Sequence, residues 1–222
     1  MPSLPNILIV GSSGEGKSTS ITNLDPATTC LIDVERKGFP FQKVFPNTKE
    51  VTKQEELVQF INEAKADKNT KVIVIDSLSK HFENQLNYCR VAFKGYDIYT
   101  KYNQSVCQIL NMMRSTDKIF VGIMLPEILS IMTAEGTSFS VRRAAVAGKE
   151  WEGKVEKEFT IVLHTNVKRN PETKRMNYRF VTNNDGFSEA KSPMGMFDIE
   201  KEFLIDNDLN KVMAAIKKYY KL

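Results

Sequence analysis

ILIVGSSGEGKSTSITNL, residues 7–24, places four apolar residues directly before a loop that holds three glycines. In this loop four residues separate Gly11 from Gly16, and Lys17 and Ser18 follow at once. The spacing G-x-x-x-x-G-K-S is that of the phosphate-binding loop, or P-loop, which requires a strand before it and a helix after it. The apolar run and the residues after Lys17 meet that requirement. The alternative is a Gly/Ser turn that precedes a lysine by chance, but such a turn would not require a strand before it or a helix after it, so the P-loop is favoured.

The residue types in this loop suit a polyphosphate. Glycine accepts positive φ angles, so successive backbone N–H groups can point at an anion without a Cβ atom in the way. Lys17 would supply a positive charge to the β and γ phosphates, and the Ser18 hydroxyl would bind Mg²⁺. The residues predicted to bind the nucleotide are Gly11, Ser12, Ser13, Gly14, Glu15, Gly16, Lys17, Ser18 and Thr19.

A second motif lies in KVIVIDSLSK, residues 71–80. Four consecutive β-branched residues end at Asp76, a pattern typical of a strand that is buried on both faces of a parallel sheet. An acidic residue at the carboxyl end of such a strand lies where α/β sheets bind their ligands. Together with the upstream P-loop, Asp76 is predicted to hold Mg²⁺ directly or through water.

A third candidate lies between these motifs. TTCLIDVERKGFP, residues 28–40, is a short apolar strand that ends in Asp33-x-Glu35. If the strand reaches the same edge of the sheet, Glu35 could act as the general base toward the attacking water. The pattern is equally compatible with an exposed charge cluster, since charge runs usually face solvent.

Strand and helix patterns alternate through residue 125, which predicts an α/β fold with a mostly parallel, twisted sheet flanked by helices. The chain is expected to form a single domain over 1–222, with a nucleotide-binding core over 1–125. Residues 126–158 are rich in Gly, Ala, Ser and charge, which indicates a long irregular loop or a mobile hairpin outside the core. Residues 159–222 are predicted to form an antiparallel hairpin around the turn NPET and a terminal helix that begins after Asp208.

The composition fits a soluble globular protein, with 41% hydrophobic and 26% charged residues and a net charge of +4. No apolar run approaches the roughly 20 residues that cross a bilayer, so no membrane association and a cytoplasmic location are expected. Three distant cysteines predict neither a zinc site nor disulfides, and the two histidines match no metal-ligand spacing. A modest positive charge permits an acidic partner without requiring one.

The order of P-loop, LIDVER and VIVIDSLS resembles the RecA-like ATPase core. VAGKEWEG, VLHTNVKR and the tail that begins KSPMGMFDIEK are similar to small bacteriophage P-loop proteins of AAA or RecA-like type, some of which are grouped with Sak-type single-strand annealing proteins. This resemblance implies ATP and Mg²⁺ as cofactors, Lys17 and Glu35 as catalytic residues, and Ser18 and Asp76 as metal ligands. It also implies the cytoplasm of the host cell as the location of a phage-encoded protein.

The same resemblance implies single-stranded DNA as a partner and assembly into homo-oligomeric rings or filaments. The candidates for contacts to DNA, or to the nucleotide of a neighbouring subunit, are Arg142, Arg143, Lys149, Lys168, Arg169, Lys174 and Arg175. Tyr178 follows the second group and could stack on a base. Both clusters could equally be solvated surface.

One element of the RecA-like pattern departs from expectation. A polar sensor, often Gln or His, usually follows the fourth core strand, and here GIMLPEIL offers only Glu127 behind a proline. Two other functions therefore stay open: a nucleotide-dependent assembly protein, and a small-molecule kinase that uses the same P-loop. The sequence has no guanine-reading Asn/Thr-Lys-x-Asp element, so ATP is favoured over GTP.

Overall fold

A computed structural model describes residues 4–114, 117–134, 136–151 and 153–221. The strands are β1 (Ile7–Val10), β2 (Thr29–Asp33), β3 (Thr48–Glu50), β4 (Val72–Asp76), β5 (Ile119–Met124), β6 (Pro126–Met132), β7 (Ser138–Ala144), β8 (Ile161–Arg169), β9 (Met176–Val181) and β10 (Leu204–Asp206). The α-helices are α1 (Gln54–Ala66), α2 (Leu78–Ala92), α3 (Asp97–Met112) and α4 (Leu209–Tyr220).

Eight strands form one sheet in the order β10-β9-β8-β1-β5-β4-β2-β3. From β8 to β3 neighbouring strands are parallel, and β9 and β10 extend the sheet in antiparallel pairing. The structure confirms the predicted α/β P-loop fold with a mostly parallel sheet and an antiparallel hairpin near the carboxyl end of the chain. β5 lies between β1 and β4, so the strands that precede the P-loop and Asp76 are not direct neighbours.

The sheet is covered on both faces, and its central strands are apolar along most of their length. Alternate residues of β1 and β4 pack into two separate buried clusters, one on each face of the sheet. Both faces of these strands are therefore buried, which explains why four consecutive residues in each strand are hydrophobic. One cluster contains the inward faces of α1, α2 and α3. The other contains Ile21 and the buried side of α4. This double cover fixes the carboxyl edge of the sheet, from which the P-loop emerges.

The C-terminal elements agree with the prediction. β8 and β9 pair from His164↔Val181 to Arg169↔Met176 around the predicted turn. Asp208 caps α4 by accepting a hydrogen bond from the backbone N–H of Asn210. The prediction for the helix after the P-loop was wrong in extent, since only a 3₁₀ helix forms there, Ser18–Ile21. Its residues include Ser18, Thr19 and Ser20, which compete for backbone hydrogen bonds and favour helix ends over helix interiors.

Residues 126–158, predicted as an irregular loop or a hairpin, contain a regular two-stranded antiparallel sheet, β6–β7. The expectation that this stretch lies outside the core is wrong for its second half. Val146, Trp151 and Val155 are buried in the same cluster as α1–α3. The Trp151 indole donates to Asn103 of α3 at 3.1 Å, which anchors the segment after the hairpin to the domain. These few buried apolar residues could not be predicted, because the Gly- and charge-rich composition around them is typical of an exposed segment.

Among the helices that the structure describes, none is long and apolar enough to span a bilayer.

Candidate functional site

A cavity of about 860 Å³ opens at the carboxyl edge of the sheet, within the size range of small-molecule sites. Its floor is the P-loop, its near wall is the segment after β2, and its far wall comes from β9 and the end of β10. The lining residues are Ser13, Gly14, Gly16, Lys17, Ser18, Thr19, Glu35, Lys37, Gly38, Phe39, Pro40, Asp76, Met176, Asn177, Tyr178, Arg179, Asp206 and Asn207. Motifs that are distant in sequence thus meet in one space.

The P-loop has the backbone geometry of an anion-binding turn. Gly14 and Gly16 have φ angles of 78° and 82°, in the region that glycine adopts without steric cost. The Lys17 ammonium donates a hydrogen bond to the carbonyl of Ser12 at 2.9 Å. Burial lowers the pKa of Lys17, although the carboxylates of Asp76 and Glu35 oppose this shift. The loop thus places a half-buried ammonium group and turned backbone N–H groups at the floor of the cavity, where an anionic ligand could contact them.

Ser18 and Asp76 bring two hard oxygen donors together. The Ser18 hydroxyl donates to the Asp76 carboxylate at 2.5 Å. Burial raises the pKa of Asp76 to about 6, while the hydrogen bond from Ser18 and the charge of Lys17 partly offset that effect. A hydroxyl and a buried carboxylate fit Mg²⁺, which binds few protein ligands and keeps phosphate oxygens and waters in its shell. Accordingly, no group of three or more His, Cys, Asp or Glu residues capable of holding a metal occurs in the described residues.

Glu35 reaches the same cavity from the end of β2. One of its carboxylate oxygens accepts a hydrogen bond from the Ser77 hydroxyl at 2.9 Å, and the other forms an ion pair with Lys37. Burial would raise the pKa of Glu35, but the hydrogen bonds from Lys37 and Ser77 together with the nearby cations hold it below its ordinary value. The carboxylate is therefore charged and oriented, as a proton acceptor must be.

Two of the predicted loop residues, Gly11 and Glu15, contact the protein behind the P-loop. Gly11 lies against Thr165, whose hydroxyl would be 2.1 Å from a Cβ atom at this position. The Glu15 carboxylate accepts hydrogen bonds from the backbone N–H of Ser12 at 2.7 Å and from Thr165 at 2.5 Å, and it forms an ion pair with Arg142. This network ties the loop to β7 and β8.

The predicted basic residues separate into two groups. Arg142 and Arg143 have side chains that are only 10% and 11% exposed, and they pair with Glu15 and Glu189 of the same chain. Neither guanidinium lies on an open surface, so this placement argues against the expectation that they reach DNA or a neighbouring subunit. The side chain of Lys149 lies outside the described part of the chain.

The second group forms an exposed cluster, here called the basic turn: Lys168, Arg169, Lys174 and Arg175. All four lie at the β8–β9 turn, where Glu172 is the one acidic residue of the sequence 168–175. The following residues of β9, from Met176 to Arg179, line the cavity above the P-loop. One strand therefore connects a positive surface with this cavity.

The structure adds residues that sequence reasoning missed. Ser77 and Lys37 hold Glu35, and each follows a motif residue within two positions, which was a usable signal. Arg179 and Asn207 line the cavity without any motif in the sequence. Glu127, the residue available at the sensor position, instead lines a second cavity of about 370 Å³ beside α2.

A family model described as "AAA domain" matches residues 4–193, which include every strand from β1 to β9. No curated protein matches the chain.

Proposed function

The chain belongs to the AAA domain family, and we propose that it is a Mg²⁺-dependent ATPase of RecA-like type that acts on single-stranded DNA in phage recombination, annealing or repair. The family supports nucleotide binding and ATPase activity.

One observation carries the enzymatic part: Lys17, the Ser18–Asp76 pair and Glu35 line a single cavity. Catalysis of phosphoryl transfer consists mainly of positioning and of stabilising charge. Lys17 would neutralise charge on the transferring phosphoryl group, and Ser18 and Asp76 would hold the metal. A bound Mg²⁺ would supply further positive charge to the phosphate oxygens.

Glu35 is suited to the remaining task. Ser77 orients its carboxylate at 2.9 Å, and the lowered pKa keeps it charged at neutral pH. From that position it can accept a proton from a water that attacks the terminal phosphate. The proton would leave with the phosphate product, and Glu35 would return to its charged form.

Exposed charge supports the DNA part. The basic turn presents four cations with one acidic neighbour, as a surface that binds a phosphate backbone should. Because β9 also lines the nucleotide cavity, DNA bound at the turn could influence hydrolysis through this strand. In a ring or filament, the basic turn is also the better source of a cation for a neighbour's nucleotide, since Arg142 and Arg143 are paired within the chain.

A hydrolysis assay with Mg²⁺-ATP, with and without single-stranded DNA, tests the proposal. We expect activity that increases with DNA, loss of activity in Lys17→Ala, and about a 100-fold decrease in Glu35→Gln, as expected for removal of a general base. No hydrolysis by the folded wild-type protein would refute the enzymatic part. No DNA binding at low salt would refute the recombination part, and phosphate transfer to an added nucleoside instead of water would indicate a kinase.

A second function, nucleotide-dependent assembly, is favoured by one contact. Lys37 forms an ion pair with one carboxylate oxygen of Glu35, so this oxygen is less available to accept a proton from water. If ATP mainly controls oligomeric state, sizing of the protein should show a change on addition of ATP that Glu35→Gln retains. A size that does not depend on ATP would exclude this alternative.

A further inference from the structure

The far wall of the cavity consists of β9 and the residues at the end of β10. Tyr178 and Met176 lie on this wall, and they are 42% and 48% exposed despite their apolar surface. Neighbouring exposed apolar side chains in a groove are typical of a ligand-binding surface. The wall also includes Asn207, which lies beyond the residues 4–193 that match the family.

This wall is fixed to the P-loop. The Asn207 side-chain amide donates a hydrogen bond to the carbonyl of Gly16 at 2.8 Å, and its backbone N–H donates to the carbonyl of Tyr178 at 3.3 Å. A Cβ atom at Gly16 would lie 2.3 Å from the Asn207 amide nitrogen and 3.0 Å from the Tyr178 ring. The tyrosine ring is therefore held directly beside the residue that precedes Lys17.

The cavity has a second apolar surface, formed by the Phe39 ring and Pro40. This surface follows Glu35 and Lys37 in the chain, so it lies on the wall that carries the proposed general base. A nucleoside triphosphate is elongated, with the terminal phosphate at one end and the base at the other. The end that faces Glu35 is assigned to the terminal phosphate, which leaves the Tyr178 wall for the base. Phe39 is in addition occupied by a stacked contact with Phe41, with ring centroids 5.3 Å apart.

We propose that the base of the bound nucleotide stacks on Tyr178, with Asn207 as the residue that positions this wall against the P-loop. The inference rests on the proposed nucleotide binding and assigns the recognition of the base within it. Stacking on a tyrosine ring accepts any aromatic base and favours purines, whose larger rings cover more of the apolar surface. The residues 194–221 after the family match would then contribute to nucleotide affinity by closing the far side of the site.

Calorimetric titration of the full chain tests the proposal with three ligands, each with Mg²⁺: ATP, UTP and inorganic tripolyphosphate. Tripolyphosphate has the phosphates without a base, so it reports on the P-loop alone. We expect Tyr178→Ala to weaken ATP binding about tenfold, in line with the loss of one base–aromatic stack. Tripolyphosphate affinity should stay within about twofold, and the preference for ATP over UTP should decrease.

Two variants serve as controls. Tyr178→Phe keeps the aromatic ring and should bind ATP within about twofold of wild type. Phe39→Ala removes the aromatic ring on the opposite wall, where no base is proposed to stack, so it should also bind ATP within about twofold of wild type. Unchanged ATP affinity in Tyr178→Ala, or a selective loss of ATP affinity in Phe39→Ala, would overturn the proposal. An equal loss for ATP and tripolyphosphate in Tyr178→Ala would overturn it too, since the ring would then only support the loop. A wild-type protein that binds neither ligand would instead refute the proposed function on which this inference rests.

Discussion

Arg142, on the second strand of the β6–β7 hairpin, forms a mostly buried ion pair with Glu15 in the middle of the P-loop. The same guanidinium donates to the carbonyl of Thr165 at 2.8 Å, so it joins the hairpin, β8 and the loop. A residue that lies far away in sequence thus contacts the middle of the loop. This contact gives the hairpin a direct connection with the proposed nucleotide site.

A double-mutant cycle measures the strength of this connection. Arg142→Ala should lower the free energy of unfolding by about 2 kcal/mol, less than for a fully buried pair because the Glu15 side chain is 27% exposed. The coupling energy between Arg142→Ala and Glu15→Ala should be about 1–3 kcal/mol in urea unfolding. ATP affinity should fall as well, since the Glu15 carboxylate also holds the backbone N–H of Ser12.

Arg143→Ala is the matched control for this cycle. Arg143 is adjacent in sequence and similarly buried, but it pairs with Glu189 away from the loop. It should lower stability and leave ATP affinity within about twofold. Additive effects of the Arg142 and Glu15 substitutions would show that the pair does not support the loop.

The protonation of Asp76 should control metal-dependent nucleotide binding. Burial raises the pKa of this carboxyl group to about 6, so most molecules are charged at pH 7.5 and most are neutral at pH 5. A metal ligand must be deprotonated, and Mg²⁺-ATP affinity should therefore fall by up to about tenfold per unit below pH 6. Titrations at pH 7.5 and pH 5 measure this decrease.

Asp76→Asn separates this effect from other titrations. The amide cannot ionise, so its binding should be weak at both pH values and change much less between them. Protonation of the nucleotide's own phosphates affects binding to both proteins equally, so it does not contribute to the difference between them. An equal pH dependence in the variant and the wild type would contradict the assignment of Asp76 to the metal.

The core of the fold could be predicted because its signals are local. Four or five consecutive apolar residues that end in a glycine loop or an aspartate can hardly form anything except buried parallel strands, as β1 and β4 show. The positions of Lys17, Ser18 and Asp76 then followed from the direction of these strands. The helix α2 is harder to recognise from the sequence because its residues, LSKHFENQLNYCRVA, include many polar ones, although the Ser77 side chain caps it by accepting a hydrogen bond from the backbone N–H of Lys80.

The far wall of the cavity could not be predicted, for a physical reason. Asn207 reaches Gly16 across 191 positions, and no pattern in the sequence reports such a contact. The burial of Arg142 has the same origin, because a charged residue in a glycine- and alanine-rich segment normally indicates an exposed surface. Its partner, Glu15, lies within a motif in which that position varies freely.

Lys37 should restrain the proposed general base. Its ion pair with Glu35 helps to lower the pKa of that carboxyl group and occupies one of its oxygens. In Lys37→Met the carboxylate should become a stronger base with a free oxygen, and steady-state hydrolysis at saturating ATP should rise about threefold. Arg36→Met is the control, since Arg36 pairs with Glu50 at the surface and should leave the rate unchanged. A lower rate in Lys37→Met would show that this ammonium assists the reaction instead.

The basic turn should account for the salt dependence of DNA binding. Each cation that contacts a phosphate of a single strand contributes about 0.7 to the slope of log affinity against log salt concentration. Replacing Lys168 and Arg175 with glutamine should therefore reduce that slope by up to about 1.4. Fluorescence anisotropy with a labelled oligonucleotide at several salt concentrations measures the slope.

Lys68→Gln/Lys71→Gln removes the same charge from exposed positions just before β4, at the opposite edge of the sheet. Because net charge changes equally in both double variants, only a local contact can make them differ. The Lys68/Lys71 variant should keep the wild-type slope. If both variants lose the same slope, DNA responds to the overall charge of the protein, and the turn has no special part in binding.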